Sequence, residues 1–172
     1  NGILQIAGVI VVDGEEKERF DLRMCPFPAD VVESGALEVN GITREELGGY
    51  PYPTHAYHEL TGMLGHYVDK YDKRDKFQFV GYNATFDDRF LREFWRKSGD
   101  KYYGSWFWWP PIDVAVLAAH HLGDRRAELV NFKLTTLASY LGVSAEGDAH
   151  DAAWDIEVTR RIYEMVGGSL PK

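Results

Sequence analysis

Two short segments of the sequence place acidic residues beside groups that could support chemistry. The first is 83–87, Asn-Ala-Thr-Phe-Asp, which follows a β-type run over 77–82 and opens a stretch with helical spacing. Ligands of α/β sheets often bind at the carboxyl ends of strands, so Asp87 lies where it could bind a metal ion or a phosphate. A structural interpretation is also open, in which Asn83 caps the helix and Asp87 interacts with the positive end of its dipole. The next acid, Asp88, lies about 100° further round the helix, and we expect it to face solvent.

The second segment is 150–155, His-Asp-Ala-Ala-Trp-Asp. On one continuous helix His150 and Asp155 would be about 140° apart, so we predict that His150 precedes the helix. Gly147 supplies a flexible approach, and Asp155 then falls in the early turns, where a loop histidine could reach an ion held by the aspartate. Histidine titrates near neutral pH, which suits a general base that takes a proton from an attacking water. The structural alternative is a His-Asp helix start without chemistry.

The hydrophobic pattern predicts the elements that would position these residues. An apolar run over 3–12, the turn Asp13-Gly14 and an alternating run over 19–24 predict a buried strand, a hairpin and a half-exposed strand. Thr43 and Glu46 have the spacing of a capping box. Strands followed by helices around one further strand indicate an α/β domain. Helical spacing predicts helices over 54–71, 86–97, 114–122, 134–141 and about 152–166, and Gly142 is predicted to stop the fourth of them.

Composition places the chain among ordinary globular proteins. Its 172 residues, 45% hydrophobic and 27% charged, fit one domain with one core. The net charge of -8 argues against a broad basic surface for duplex phosphate, although bound divalent ions would neutralise part of the acidic charge. No apolar run is long enough to span a bilayer, and the single Cys25 agrees with a reducing compartment. We therefore predict a cytoplasmic protein with no membrane partner.

Taken together and in this order, the two segments resemble the second and third motifs of the DEDDh 3′→5′ exonucleases. This family contains the proofreading subunit of bacterial DNA polymerase III and RNase T. Asn83-x-x-Phe86-Asp87-x-x-Phe90-Leu91 is similar to the second motif, and His150-x-Ala152-x-x-Asp155 is similar to the third. The resemblance spans nearly the whole chain.

Two further segments resemble the family, and one motif is absent. The segment 39–43, Val-Asn-Gly-Ile-Thr, is similar to a Val-His-Gly-Ile-Thr near the terminal nucleotide, with Asn40 in place of the frequent histidine. The segment 133–142 is similar to the family's Lys-Leu-x-x-Leu-x-x-Leu-Gly pattern. The first motif, an Asp-x-Glu on the first strand, is missing, and the run 3–12 resembles the strand after it. Because a sheet rarely tolerates loss of a central strand, we expect further residues before Asn1 that carry this motif.

The resemblance implies a ribonuclease H-like fold, a mixed sheet of about five strands flanked by helices, in a single exonuclease domain over 1–172. It also implies hydrolysis of nucleic-acid 3′ ends with two Mg²⁺ or Mn²⁺ ions, for which Asp87 and Asp155 would be ligands. His150 would be the general base.

Four residues would contact or support the terminal nucleotide. Stacking on an aromatic ring is sequence-tolerant, which suits an enzyme that removes any nucleotide. By resemblance, the pocket for the last base would contain Val39, Asn40 and Phe86. Asn83 would support the local backbone or the path of the strand.

The motifs do not distinguish the sugar, so several functions stay open. We favour single-stranded DNA with a 3′ end as the partner, and a polymerase is a candidate protein partner. One alternative is an exoribonuclease of the RNase T or oligoribonuclease type. Another is a non-catalytic module that binds nucleic acid or a polymerase, which the missing first motif and the acidic charge favour.

Two other features have structural interpretations. The aromatic segment 106–109, Trp-Phe-Trp-Trp, could be a second stacking platform, but core packing or the covering of a helix face is favoured because aromatic side chains bury large areas. It lies in a segment, 102–111, that is predicted to be an ordered loop. Asp113 is predicted to cap a helix.

Overall fold

A β-hairpin is the first element of the computed structural model, which describes residues 2–32, 37, 42–147 and 152–167. Strand β1, Gln5–Val12, pairs with β2, Glu15–Arg23, and the two-residue turn Asp13-Gly14 between them requires antiparallel pairing. Both turn residues have positive φ, 53° and 79°, as a type I′ turn requires. The predicted hairpin is confirmed, although β1 is mostly half-buried rather than fully buried.

The chain divides into two compact units. The first comprises Asn1–Ile6, Asp21–Phe79 and Phe86–Pro110, and the second comprises Ala7–Phe20, Val80–Thr85 and Pro111–Lys172. The single exonuclease domain stays a prediction. In the part of the chain that the structure describes, no helix is both long enough and apolar enough to cross a bilayer.

The first unit contains helices and a core rich in aromatic side chains. Helix α1, Arg44–Gly48, begins with the predicted capping box, in which Thr43 Oγ1 accepts the Glu46 N–H at 3.2 Å. Helix α2, Pro53–Leu64, begins with proline and ends before Gly65, about two turns earlier than predicted. The core of the first unit contains the side chains of Ala56, Tyr57, Leu60, Leu64, Leu91, Phe94, Trp95, Tyr103 and Trp106.

Helix α3, Ala84–Lys97, follows the short strand β3, Val80–Gly81, and confirms the predicted passage from strand to helix. Trp95 is fully buried and meets the rings of Tyr57 and Tyr103 edge-on, at centroid distances of 5.6 and 5.3 Å. The helix is therefore fixed through its aromatic face.

Among the described residues, the second unit contains a parallel strand pair, three α-helices and one 3-10 helix, Gly123–Glu128. Strand β3 pairs in parallel with β4, Ile112–Asp113, in the register Val80↔Ile112 and Gly81↔Asp113. Helix α5, Leu134–Leu141, stops at Gly142, whose φ of 67° is the left-handed cap predicted there. Helices α4, Val114–Leu122, and α6, Ala152–Met165, complete the unit. The buried core is formed by Val114, Ala118, Leu122, Leu137, Ala138, Val158, Ile162 and Tyr163.

The α/β class is confirmed, but a sheet of about five strands is not. The described residues form two two-stranded sheets, with one further parallel bridge between Phe77 and Phe107. Val80 lies three positions after Phe77, whereas Ile112 lies five positions after Phe107, so the pairing changes register between the two pairs. The intervening segment contains Pro110-Pro111, which has no N–H to continue a ladder.

Candidate functional site

The turn that precedes α3 is fixed by a carboxylate from the neighbouring strand. Asn83 has a φ of 59°, and its backbone N–H donates to Asp113 Oδ1 at 3.0 Å. The same oxygen accepts the N–H of Ala115 at 3.0 Å and so caps α4. The capping role predicted for Asp113 is confirmed. One side chain therefore connects the carboxyl ends of both parallel strands, the position where α/β folds often bind ligands.

Asp87 lies in the first turn of α3 and is exposed. It occupies the same stripe of the helix as Leu91 and Phe94, four and seven residues further on, which are buried. Its neighbour Phe86 is also exposed, with 56% of its surface accessible, and its ring packs on Phe90 at a centroid distance of 4.7 Å. Asp87 is thus exposed, although the positions in line with it further along the helix are buried.

Asp88 is not solvated, and that prediction was wrong. Its side chain is 3% exposed, with Oδ2 accepting from Arg92 Nε at 2.7 Å and Oδ1 accepting from the Tyr103 hydroxyl at 3.0 Å. Burial, followed by the Asp88 charge, raises the pKa of Tyr103 well above its usual range. Asp88 therefore binds side chains of the protein, and of the two neighbouring acids only Asp87 is exposed.

Asp155 lies in the first turn of α6 and is half-buried. Val158 and Ile162, three and seven residues further on, are fully buried, so Asp155 extends the core-facing stripe of its own helix. Asp155 and Asp87 thus hold equivalent places, each in a first turn and each in line with an apolar stripe.

Three other predicted site residues, Val39, Asn40 and His150, lie outside the described residues. Asn83 is exposed at the turn before α3, and Phe86 lies in that helix's first turn. The structure therefore gives the local setting of Asn83, Phe86, Asp87 and Asp155 from the predicted set.

The donor chemistry of the described acids fits a divalent cation in kind. Asp87 and Asp155 offer carboxylate oxygens, which Mg²⁺ and Mn²⁺ prefer. Within the described ranges, no group of three or more His, Cys, Asp or Glu is close enough to hold a metal ion. A pair of metal ions needs more anionic ligands than these two residues supply.

The sequence model of the Exonuclease family, RNase_T, matches residues 1–163. The chain belongs to this exonuclease family. Family members are generally dependent on divalent metal ions. No protein among those with curated descriptions matches the chain significantly.

Solved exonuclease structures share the fold. Exonuclease I of E. coli, in complex with a dT13 oligonucleotide, matches 95% of this chain with a TM-score of 0.72 and 19% identity. Exonuclease X, in complex with 5′ overhanging duplex DNA, matches 96% of it with a TM-score of 0.59 and 18% identity. The chain covers 82% of the exonuclease X structure but only 36% of exonuclease I, so it spans about a third of the latter.

Sequence reasoning missed two features of this site. The double role of Asp113 depends on strand pairing, which no local pattern reports. The pairing of Asp88 had a signal, because Asp88 and Arg92 have the i,i+4 spacing at which opposite charges meet on a helix, but its burial had none. That spacing does not reveal the third partner, Tyr103, which lies in the following loop.

Proposed function

We propose that the protein containing this chain is a divalent-metal-dependent 3′→5′ exonuclease that hydrolyses single-stranded DNA from its 3′ end. The observation that carries the proposal is the family match over residues 1–163. It is supported by the equivalent places of Asp87 and Asp155, each an acidic residue in the first turn of its helix and each in a segment that resembles a family motif.

Asp87 and Asp155 would be ligands of the metal, Mg²⁺ or Mn²⁺. When bound, a pair of such ions stabilises the charge that develops on the attacking and leaving oxygens of a phosphodiester. His150 would take a proton from the attacking water, since its neutral imidazole is a base near neutral pH.

The terminal nucleotide would stack on Phe86, whose ring is exposed and braced by Phe90. Val39 and Asn40 would complete the pocket for the last base. Asn83, whose backbone N–H is held by Asp113, would support the path of the DNA strand.

We propose DNA rather than RNA as the substrate because of the nucleic acids that two similar structures hold. The exonuclease I structure holds dT13 and the exonuclease X structure holds 5′ overhanging duplex DNA. The likenesses give no support to a polymerase partner, and the cytoplasmic location stays a prediction. The RNase T-type exoribonuclease is the second candidate, since the described residues do not select a sugar.

The test measures release of nucleotides by the full-length protein from 3′-labelled and 5′-labelled oligonucleotides of one sequence, as DNA and as RNA. We expect Mg²⁺ or Mn²⁺ to support stepwise shortening from the 3′ end of DNA and EDTA to stop it. Equal shortening in EDTA would contradict the metal-dependent mechanism. Binding without any shortening would favour the non-catalytic module, and faster shortening of RNA would favour the exoribonuclease.

A further inference from the structure

Residues 70–110 differ in charge from the rest of the chain. They contain nine Lys and Arg residues against six Asp and Glu, a net positive segment in a chain whose net charge is -8. Such a segment can attract an anionic partner that the whole acidic protein would not.

The same segment holds most of the exposed aromatic surface. Of six aromatic side chains that are exposed among the described residues, five lie here: Tyr71, Phe86, Tyr102, Trp108 and Trp109. Four of these five have a cation near the ring, at 5.2–5.6 Å from its centroid. The pairing of an exposed ring with a cation is therefore a repeated feature of this segment.

Trp109 is the most exposed tryptophan, with 66% of its surface accessible. The guanidinium of Arg92 lies 5.5 Å from its ring centroid and 4.5 Å from that of Tyr103. Arg92 also donates to the buried Asp88, so its position is fixed from below while 41% of its side chain stays exposed. A fixed cation beside an open indole costs little side-chain entropy when a ligand binds.

Trp108 is held by its backbone and stays 41% exposed. Its N–H donates to the carbonyl of Phe77 at 2.8 Å, and Lys76 Nζ lies 5.2 Å from its ring centroid. Gln78 Nε2 donates to the carbonyl of Pro110 at 3.1 Å and fixes the end of the loop. The loop that presents both tryptophans is thus tied to the preceding segment.

The favoured interpretation of 106–109, core packing or the covering of a helix face, is confirmed for Trp106, which is 4% exposed, whereas Trp108 and Trp109 are exposed and do not belong to the core. Packing explains the first tryptophan of the segment. It does not explain two neighbouring indoles that face solvent, each with its own cation.

We propose that Trp108, Trp109, Lys76 and Arg92 form a surface, the tryptophan surface, that binds single-stranded DNA away from its cleaved end. Bases would stack on the two indoles, and the cations would meet the phosphates. Sites that bind single strands without sequence preference combine these two groups. The choice of DNA rests on the proposed function, whereas the binding itself does not require hydrolysis.

The experiment measures the affinity of the full-length protein for a 5′-fluorescein-labelled oligothymidylate by anisotropy, in EDTA so that no strand is cut. We expect Trp109→Ala and Trp108→Ala each to weaken binding by roughly 5- to 150-fold, the effect of losing one base stack. Trp109→Phe should recover most of the affinity. Lys76→Gln should reduce the slope of log affinity against log salt by about 0.7, the value for one phosphate contact of a single strand.

The matched control is Tyr52→Ala, an exposed aromatic outside the segment, which should bind like the wild type. If Trp108→Ala and Trp109→Ala also bind like the wild type, the tryptophan surface is not a DNA site. If they bind like the wild type but lower the melting temperature of the full-length protein, another part of the protein covers the indoles, which also overturns the proposal. The two proposals can also fail separately. If the tryptophan variants lose binding but the wild-type protein never shortens DNA, the tryptophan surface is supported and the proposed exonuclease activity is refuted.

Discussion

Asp113 Oδ1 accepts the backbone N–H of Asn83 at 3.0 Å and so connects the end of β4 to the turn that begins α3. The same oxygen accepts the N–H of Ala115, so one atom satisfies two backbone donors. Helix α3, which carries Asp87, and helix α4 therefore both begin beside this carboxylate.

Asp113→Ala should therefore affect both stability and activity. Loss of a helix cap and of a second acceptor should lower the free energy of unfolding by about 1–2 kcal/mol. Asp113→Asn retains an oxygen in the same place and should be close to the wild type in urea unfolding and in metal-dependent turnover. If Asp113→Asn is as damaged as Asp113→Ala, the charge of Asp113 matters rather than its two hydrogen bonds.

The buried Asp88 predicts an energetic coupling with Arg92. Arg92→Ala should lower the free energy of unfolding by about 1–3 kcal/mol, because it leaves a carboxylate that is 3% exposed without its charged partner. Asp88→Asn in the same chain removes that charge, so the double variant should be more stable than the sum of the single effects predicts. Urea unfolding of the four proteins in this cycle gives the coupling, and strict additivity would mean that the pair contributes nothing.

Local patterns predicted the elements of this chain better than its sheets. The hairpin turn at Asp13-Gly14, the capping box at Thr43 and the stop at Gly142 each depend on a few adjacent residues, and each is confirmed. The extent of strand pairing depends on residues far apart in sequence. The run 77–82 was predicted as one strand, but the prolines at 110–111 interrupt its pairing between Phe77–Phe107 and Val80–Ile112.

The candidate site was likewise predicted in part from local sequence patterns. Asp87 and Asp155 were found from motif spacing, and the structure adds that each continues an apolar stripe. Exposure could not be predicted for Asp88 or Trp109, because it depends on which residues from a later loop reach the helix. Tyr103 covers Asp88, whereas nothing in the sequence separates the buried Trp106 from the exposed Trp109.

Asp87→Asn and Asp155→Asn test the proposed metal ligands without changing side-chain size. Each should lower turnover by roughly 10²–10⁴-fold, because bound metal contributes several kcal/mol of charge stabilisation. Far-UV circular dichroism and the melting temperature should stay close to those of the wild type. The matched controls are Glu93→Gln on α3, a half-buried acid, and Glu164→Gln on α6, an exposed one, and both should leave turnover unchanged. Near-normal turnover of either aspartate variant would refute that residue as a ligand.

Tyr82 predicts a pH dependence of stability. Burial, followed by the Asp113 carboxylate, raises the pKa of Tyr82 to about 12. The folded state therefore binds this proton more tightly than the unfolded state, whose pKa is near 10. The resulting stability is fully present below about pH 10 and is lost as the pH rises towards 12.

Tyr82→Phe removes this proton and the hydrogen bond from its hydroxyl to the carbonyl of Phe132, 2.7 Å long. The wild type should exceed the variant in free energy of unfolding by about 0.5–1.5 kcal/mol at neutral pH, and the difference should shrink above pH 10. Asp113→Asn removes one cause of the raised pKa of Tyr82, so it should narrow the pH range above 10 over which the stability is lost. Urea unfolding between pH 8 and pH ~12 measures all three proteins, and a difference that grows with pH would have the wrong sign.

His150, in the segment that resembles the third motif of the family, is the proposed general base. Turnover should rise with pH through the range where an unperturbed imidazole loses its proton, near ~6.5, because only the neutral form accepts a proton. His150→Ala should lower turnover by roughly 10²–10⁴-fold and remove this pH dependence, while the affinity for a 3′ end changes little. A helix-start histidine without chemistry predicts small effects on both quantities. Turnover and end binding are measured at two metal concentrations, and a loss that extra metal restores in full would identify His150 with metal binding rather than proton transfer.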